Sequence, residues 1–143
     1  MSKLSERIKE YLQEMDLTQL AFSEKADVGN TLISNFTLDL HNPRYENFIK
    51  MLYAFNCSAD YLLGLTDLHT EEKLYPVLPF GERLRTLLKE HKITQDTLKQ
   101  KLPVSGSVLY KWLSGKNAPS TTSLIRLAEF FDCSVDYLIG RTR

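Results

Sequence analysis

The 143-residue sequence predicts an all-α protein made of two tandem copies of a five-helix unit. Three observations carry this prediction. The first is an internal repeat: FNCSADYLLGLT at 55–66 returns as FDCSVDYLIGRT at 131–142. The same offset of 76 holds without a gap from Leu4–Asp67 onto Phe80–Arg143, with 18 identities over those 64 positions. The second is that apolar residues in both copies keep helical spacing, and the third is that neither copy contains a convincing alternating strand. The units are 1–67 and 80–143. Between them LHTEEKLYPVLP, residues 68–79, reads as a linker from its charges and two prolines.

Each element follows from spacing and punctuation. Leu4, Ile8, Tyr11, Leu12 and Met15 in the first copy, and Phe80, Leu84, Leu87 and Leu88 in the second, form the apolar stripe of helix one. Thr18 and Thr94 precede helix two, where a side-chain oxygen can accept from an unpaired backbone N–H, and the helix runs to about residues 25 and 101. Ile33 and Phe36, or Leu109 and Trp112, lie three apart on the inner face of helix three, which Gly115 and Pro119 stop in the second copy. Phe48, Met51, Leu52 and Phe55, or Leu124, Leu127, Ala128 and Phe131, mark helix four. Helix five starts at Ser58 or Ser134, again natural N-caps.

Helices two and three are separated by roughly four residues, Ala26-Asp27-Val28-Gly29 or Leu102-Pro103-Val104-Ser105, which is helix-turn-helix spacing. In the second copy Leu109 and Trp112 face inward. That leaves Ser107, Tyr110, Lys111 and Ser114 on an outer face suited to base edges and phosphates. Thr-Gln at the start of helix two, Tyr110-Lys111-Trp112-Leu113-Ser114-Gly115-Lys116-Asn117-Ala118-Pro119-Ser120 across helix three, and Cys133-Ser134-Val135-Asp136-Tyr137-Leu138-Ile139-Gly140 at the end resemble the lambda-repressor/Cro-like helix-turn-helix family. The resemblance covers nearly the whole chain and occurs twice. It implies tandem five-helix DNA-binding domains of a bacterial or phage type, mostly repressors acting as dimers on double-stranded DNA.

Carried over position by position, the resemblance places Gln95 on the phosphate backbone, where it braces the reading helix. It places Ser105, Gly106, Ser107, Val108 and Lys111 on the base-facing side, with Tyr110 beside them on the outer face, and Lys116 and Asn117 on phosphate oxygens. Lys111 suits guanine O6 and N7, Ser107 several bases, and Val108 a thymine methyl group. The matching residues of the first copy are Gln19, Gly29, Asn30, Thr31, Leu32 and Asn35. Two departures stand out. The family's turn glycine is Asp27 or Pro103 here, and proline, locked near −65°, makes the second turn differ in detail. Few side chains on either reading helix are long hydrogen-bonding ones, so specificity rests partly on DNA shape.

The net charge of zero conceals two unlike domains. Residues 1–70 hold six Lys/Arg and ten Asp/Glu, whereas residues 78–143 hold eleven and six. Phosphate contacts supply most nonspecific affinity, so the second copy is the expected DNA reader. The first reads Asp39-Leu40-His41-Asn42 where the second reads Gly115-Lys116-Asn117-Ala118, and an aspartate repels phosphate. The first copy is therefore expected to have drifted toward dimerisation or partner binding.

Other functions find little support. Cys57 and Cys133 lie 76 residues apart without CxxC or ligand-spaced His, and read as packed thiols. His41, His69 and His91 have no clustered partner, Ser114-Gly115-Lys116 lacks the rest of a phosphate loop, and no catalytic constellation stands out. No enzyme activity, metal or cofactor is expected. Apolar runs are short and the start MSKLSERIKEYL is charged, so neither a membrane span nor a signal peptide is expected, and the cytoplasm is the expected location. The sequence ends three residues past Gly140, so no self-cleaving or ligand-sensing domain is expected there, and any signal is expected to act through the first copy, the oligomer or another protein. Two other readings remain at this level: a helical protein-interaction scaffold with little or no DNA binding, and a protein whose two copies each read a half-site.

Overall fold

The computed structural model describes residues 2–70 and 72–142. It divides into two compact units, residues 1–72 and 73–143, each considered by itself. Among the described residues there are helices and no strands. Unit 1 contains α1 (Lys3–Glu14), α2 (Gln19–Ala26), α3 (Asn30–Thr37), α4 (Tyr45–Phe55) and α5 (Ala59–Leu62). Unit 2 contains α6 (Phe80–Glu90), α7 (Gln95–Lys101), α8 (Gly106–Ser114), α9 (Thr121–Phe131) and α10 (Val135–Leu138).

The helix starts obey the capping logic of the sequence. Thr18, Ser58, Thr94 and Ser134 each accept, through the side-chain oxygen, from the backbone N–H three residues on, at 3.0–3.1 Å. The helix ends show the duplication more sharply than identity does. Left-handed backbone recurs at the repeat offset in Asp16 and Lys92, Asp39 and Gly115, Asn56 and Asp132, and Gly64 and Gly140. The turn between helices two and three is the exception, with Asp27 at φ 58° and Pro103 at the matching place.

Each core collects the predicted stripes. Ile8, Phe22, Ile33, Phe48, Met51, Leu52 and Leu62 are fully buried in unit 1, and Leu84, Leu87, Leu98, Leu109, Leu124, Leu127 and Leu138 in unit 2. Tyr11, Phe22 and Phe55 meet as a ring cluster, with centroids 4.4–5.7 Å apart. The matching trio in unit 2 is Leu87, Leu98 and Phe131, so the same space is filled with different shapes. Two expectations need correction. Met15 is 54% exposed because α1 ends at Glu14 and Met15 only caps it. Cys57 is buried, but Cys133 is only half-buried.

The last helix of each unit has four residues, too few to be stable alone. An arginine of the first helix holds it. Arg7 Nε donates to the Tyr61 carbonyl at 3.2 Å, and Arg83 donates to the carbonyls of Tyr137 at 2.7 Å and Leu138 at 3.3 Å. Both guanidinium groups also lie over the tyrosine ring, 4.1 and 4.9 Å from its centroid. Beyond α10 the chain is covered by its own incoming segment. Tyr75 N–H donates to the Arg141 carbonyl and Leu78 N–H to the Ile139 carbonyl, so 75–78, the later part of the connecting segment, is docked on unit 2. Gly140 takes φ 88° beneath Leu78, and a Cβ there would stand 2.8 Å from a Leu78 methyl carbon.

Replacing Arg83 with Ala removes two charge-assisted hydrogen bonds from α10. Unit 2 is expected to lose about 2–4 kcal/mol of unfolding free energy, measured by urea denaturation followed by Trp112 fluorescence.

Candidate nucleic-acid interface

The α7–α8 pair is set by its turn. Proline disfavours helical backbone in the residue before it, and Leu102 is extended at φ −117° and ψ 145°. Unit 1 instead ends α2 on left-handed Asp27, so the two turns do differ. Ser105 then caps α8, its Oγ accepting from Val108 N–H at 3.1 Å while its own hydroxyl hydrogen stays available to an acceptor.

Burial divides α8 as its periodicity predicts. Leu109, Trp112 and Leu113 are buried, with Trp112 packed edge-on against Phe80 at 6.4 Å between centroids. Gln95, Ser105, Gly106, Ser107, Val108, Tyr110, Lys111, Lys116 and Asn117 are all exposed. Left-handed Gly115 ends the helix, and Asn117 N–H returns to the Lys111 carbonyl at 3.2 Å, fixing the loop that carries Lys116. Lys116 Nζ lies 5.4 Å from the centre of the Tyr110 ring, which couples that loop to the helix face.

Three groups that spacing did not single out support this face. Lys99 sits four residues after Gln95 on the same side of α7, 3.1 Å from Asp96. A Cβ on Gly106 would stand 3.7 Å from its ammonium, which puts that charge at the start of α8. The i, i+4 relation to Gln95 is the signal that could have found it. Arg85 donates to the Leu113 carbonyl at the other end of α8. Gly81 lets α6 approach that end, because a Cβ there would lie 2.7 Å from the same oxygen. Nothing in local spacing reveals the last two, which depend on how helices cross.

The same face of unit 1 has other chemistry. Gln19 donates to Thr37 Oγ1 at 3.5 Å and so braces α2 on α3, whereas Gln95 has Leu113 at the corresponding place. Ser5, the counterpart of Gly81, donates through Oγ to the Thr37 carbonyl at 2.8 Å. Gly29, Asn30, Thr31 and Leu32 are exposed and Asn35 is half-buried. The Asp39 carboxylate accepts from the Ser2 N–H at 2.9 Å, and the hydrogen bonds from Ser2 hold its carboxyl below the usual carboxylate range.

Among the described residues no three His, Cys, Asp or Glu side chains come together to hold a metal ion, and no helix is long and apolar enough to cross a membrane.

Comparison with known proteins agrees with this geometry. The chain is 38% identical over 61 residues to the HTH-type transcriptional regulator ImmR of Bacillus subtilis, a match covering 43% of this chain and 48% of ImmR. It is 36% identical over 63 residues to the HTH-type transcriptional activator BcrR of Enterococcus faecalis, covering 44% of this chain and 31% of BcrR. Over 63 residues it is also 36% identical to YobD of Bacillus subtilis, an HTH-type transcriptional regulator, covering 44% and 56%. The chain thus spans between about a third and somewhat over half of these relatives. No solved structure gives a significant match. The helix-turn-helix family model matches twice, at residues 8–62 and 84–138, which enclose α2–α3 and α7–α8, and the chain belongs to that XRE-type helix-turn-helix family through both of its units.

Proposed function

We propose that this protein is a sequence-specific regulator of transcription that binds duplex DNA as a homodimer and reads the major groove chiefly with α8. The observation that carries the reading is the exposed row of Ser107, Lys111, Lys116 and Asn117 on a hydrogen-bonded helix and loop, joined by Lys99 at the helix start. Lysines on this row meet phosphates and guanine edges, and the unpaired N–H groups at the α8 start add a site for one phosphate oxygen. Similarity to proteins named as transcriptional regulators supports the same assignment. Bound over a promoter, such a protein represses, and this is the role we assign, with the cytoplasm as its place of action.

The two units do not share the task equally. In residues 94–119 of unit 2 there are four Lys and one Asp, whereas residues 18–43 of unit 1 hold one Lys and three acidic residues. The corresponding face of unit 1 would approach phosphate with like charge, which disfavours a protein whose two copies each read a half-site.

Selection of bound sequences from a random duplex pool with the full-length protein tests the reading. An inverted repeat with half-sites about one helical turn apart is expected, and Lys111→Ala should relax one base position in each half. Two unlike half-sites would show that both units read. No enrichment would replace the reading by a protein-interaction scaffold.

Salt dependence gives a second check on the same protein. Lys99→Ala should weaken binding about equally on all sequences and flatten the log–log salt slope by about 1 per binding site. An unchanged slope would remove Lys99 from the interface.

A further inference from the structure

The first helix of unit 2 meets the end of α8. Gly81 and Arg85 lie one turn apart on the same side of α6. A Cβ on Gly81 would stand 2.7 Å from the Leu113 carbonyl oxygen and 2.9 Å from that of Trp112, and Arg85 Nη2 donates to the Leu113 carbonyl. A backbone atom of α8 therefore sets the guanidinium, at the foot of the loop that carries Lys116 and Asn117. The residue of unit 1 matching Arg85 is Lys9. The hydrogen bonds from Ser2 chiefly, and the charge of Lys9 with them, hold the Asp39 carboxyl low, so the cation at this position acts on the loop after helix three in unit 1 as well.

Arg85 is exposed, and one of its N–H groups is taken by Leu113. A guanidinium carries several more in the same plane, and they stay available. Among the described residues no carboxylate comes within ion-pair distance of it. The acids of its own helix are Glu82, one turn earlier, and Glu90, which accepts from the Tyr137 hydroxyl; Asp136 on the neighbouring α10 pairs with Arg141. The α8 side holds no acid at all. From Thr97 to Ala128 the chain has Lys99, Lys101, Lys111, Lys116 and Arg126 and no Asp or Glu. The C-terminus of a helix is itself partly negative and disfavours phosphate, and a guanidinium bound there offsets that charge. Held on a carbonyl in advance, the side chain loses less freedom on binding than a mobile one.

We infer that Arg85 is a further ligand for DNA phosphate: anchored on the Leu113 carbonyl, it offers its outward N–H groups to a phosphate oxygen beside the loop after α8. The inference rests on the reading that unit 2 binds duplex DNA through α8. It adds a third element, α6, to the contact surface. Arginine suits this double task because its fork can donate to a carbonyl and to a phosphate at once, whereas a lysine presents a single charged point.

The test uses the full chain and the duplex recovered by selection from the random pool, with single phosphates replaced in turn by uncharged methylphosphonates. Arg85→Gln removes the charge and keeps a donor for Leu113. At least one phosphate in each half-site should lose its influence in this variant: neutralising it should weaken the unsubstituted protein about threefold or more and leave Arg85→Gln unaffected. The variant should also flatten the log–log salt slope by about 1 per binding site while selecting the same sequence. A second measurement needs no substitution. With arginine side-chain nitrogens labelled for NMR, the Arg85 signals should shift when the duplex is added and stay in place when that phosphate is neutral. A residue that only clamps α8 would give the opposite pattern, with the same sensitive phosphates in Arg85→Gln as in the unsubstituted protein and an altered base preference, and this would overturn the inference alone. Arg85 signals that do not respond to the duplex would overturn it too. Failure of the unsubstituted protein to bind any duplex would remove the reading of α8 and this inference together.

Discussion

Closure of each unit depends on one interaction, the arginine of the first helix against the last, four-residue helix. Such a helix has no hydrogen-bonded interior worth the name, and in isolation its nucleation cost exceeds what its few bonds return. Arg7 and Arg83 add a charged donor to the Tyr61 and Tyr137 carbonyls of α5 and α10 and lay a flat cation on the tyrosine of the same helix. With that end shut, Leu62 and Leu138 stay in the core, and the first helix keeps its place against helix three. The outer face of helix three is thus positioned through the first helix, which also holds the last one.

What the duplication has preserved is backbone conformation rather than side-chain identity. Asp16 and Lys92 share little chemistry, yet both take left-handed backbone at the end of a first helix. Tyr11, Phe22 and Phe55 occupy as rings the space that Leu87, Leu98 and Phe131 fill with one ring and two branched chains. A core tolerates such exchange when its total volume and pattern are kept. The outer faces have no such constraint, and there the two units diverge in charge and in apolar area.

Elements, caps and inner faces were legible in the sequence because they follow from local spacing: the threonine and serine caps lie where hydroxyl residues precede apolar periodicity, and Ile33, Phe36, Leu109 and Trp112 are inside as their spacing requires. Met15 misled because a stripe of apolar residues does not record where the helix stops. The docking of Tyr75 and Leu78 on residues 139–141 was hidden because prolines and charges mark a chain as non-helical, not as unpacked. Exposure of the predicted contact row on α8 was legible for the same reason as its inner face. Lys99 and Arg85 were not, since their places beside α8 come from helix crossing, which no single helix encodes.

The loop after helix three shows how one position can set both the backbone and the surface charge. Both units need left-handed backbone there, and Gly115 supplies it without a Cβ. Asp39 adopts it against a penalty of roughly 1–2 kcal/mol that its short polar side chain softens, and its carboxylate accepts from Ser2 N–H at the start of α1. That bond ties the loop to the first helix and turns Leu38 and Leu40 outward on ordered backbone. It also leaves a negative charge beside the place where unit 2 offers Lys116. The residue that ties the loop of unit 1 to α1 therefore also sets a carboxylate where unit 2 has a bare glycine before Lys116. The outer faces of the two units differ with no change of fold, only with a different solution to the same positive φ.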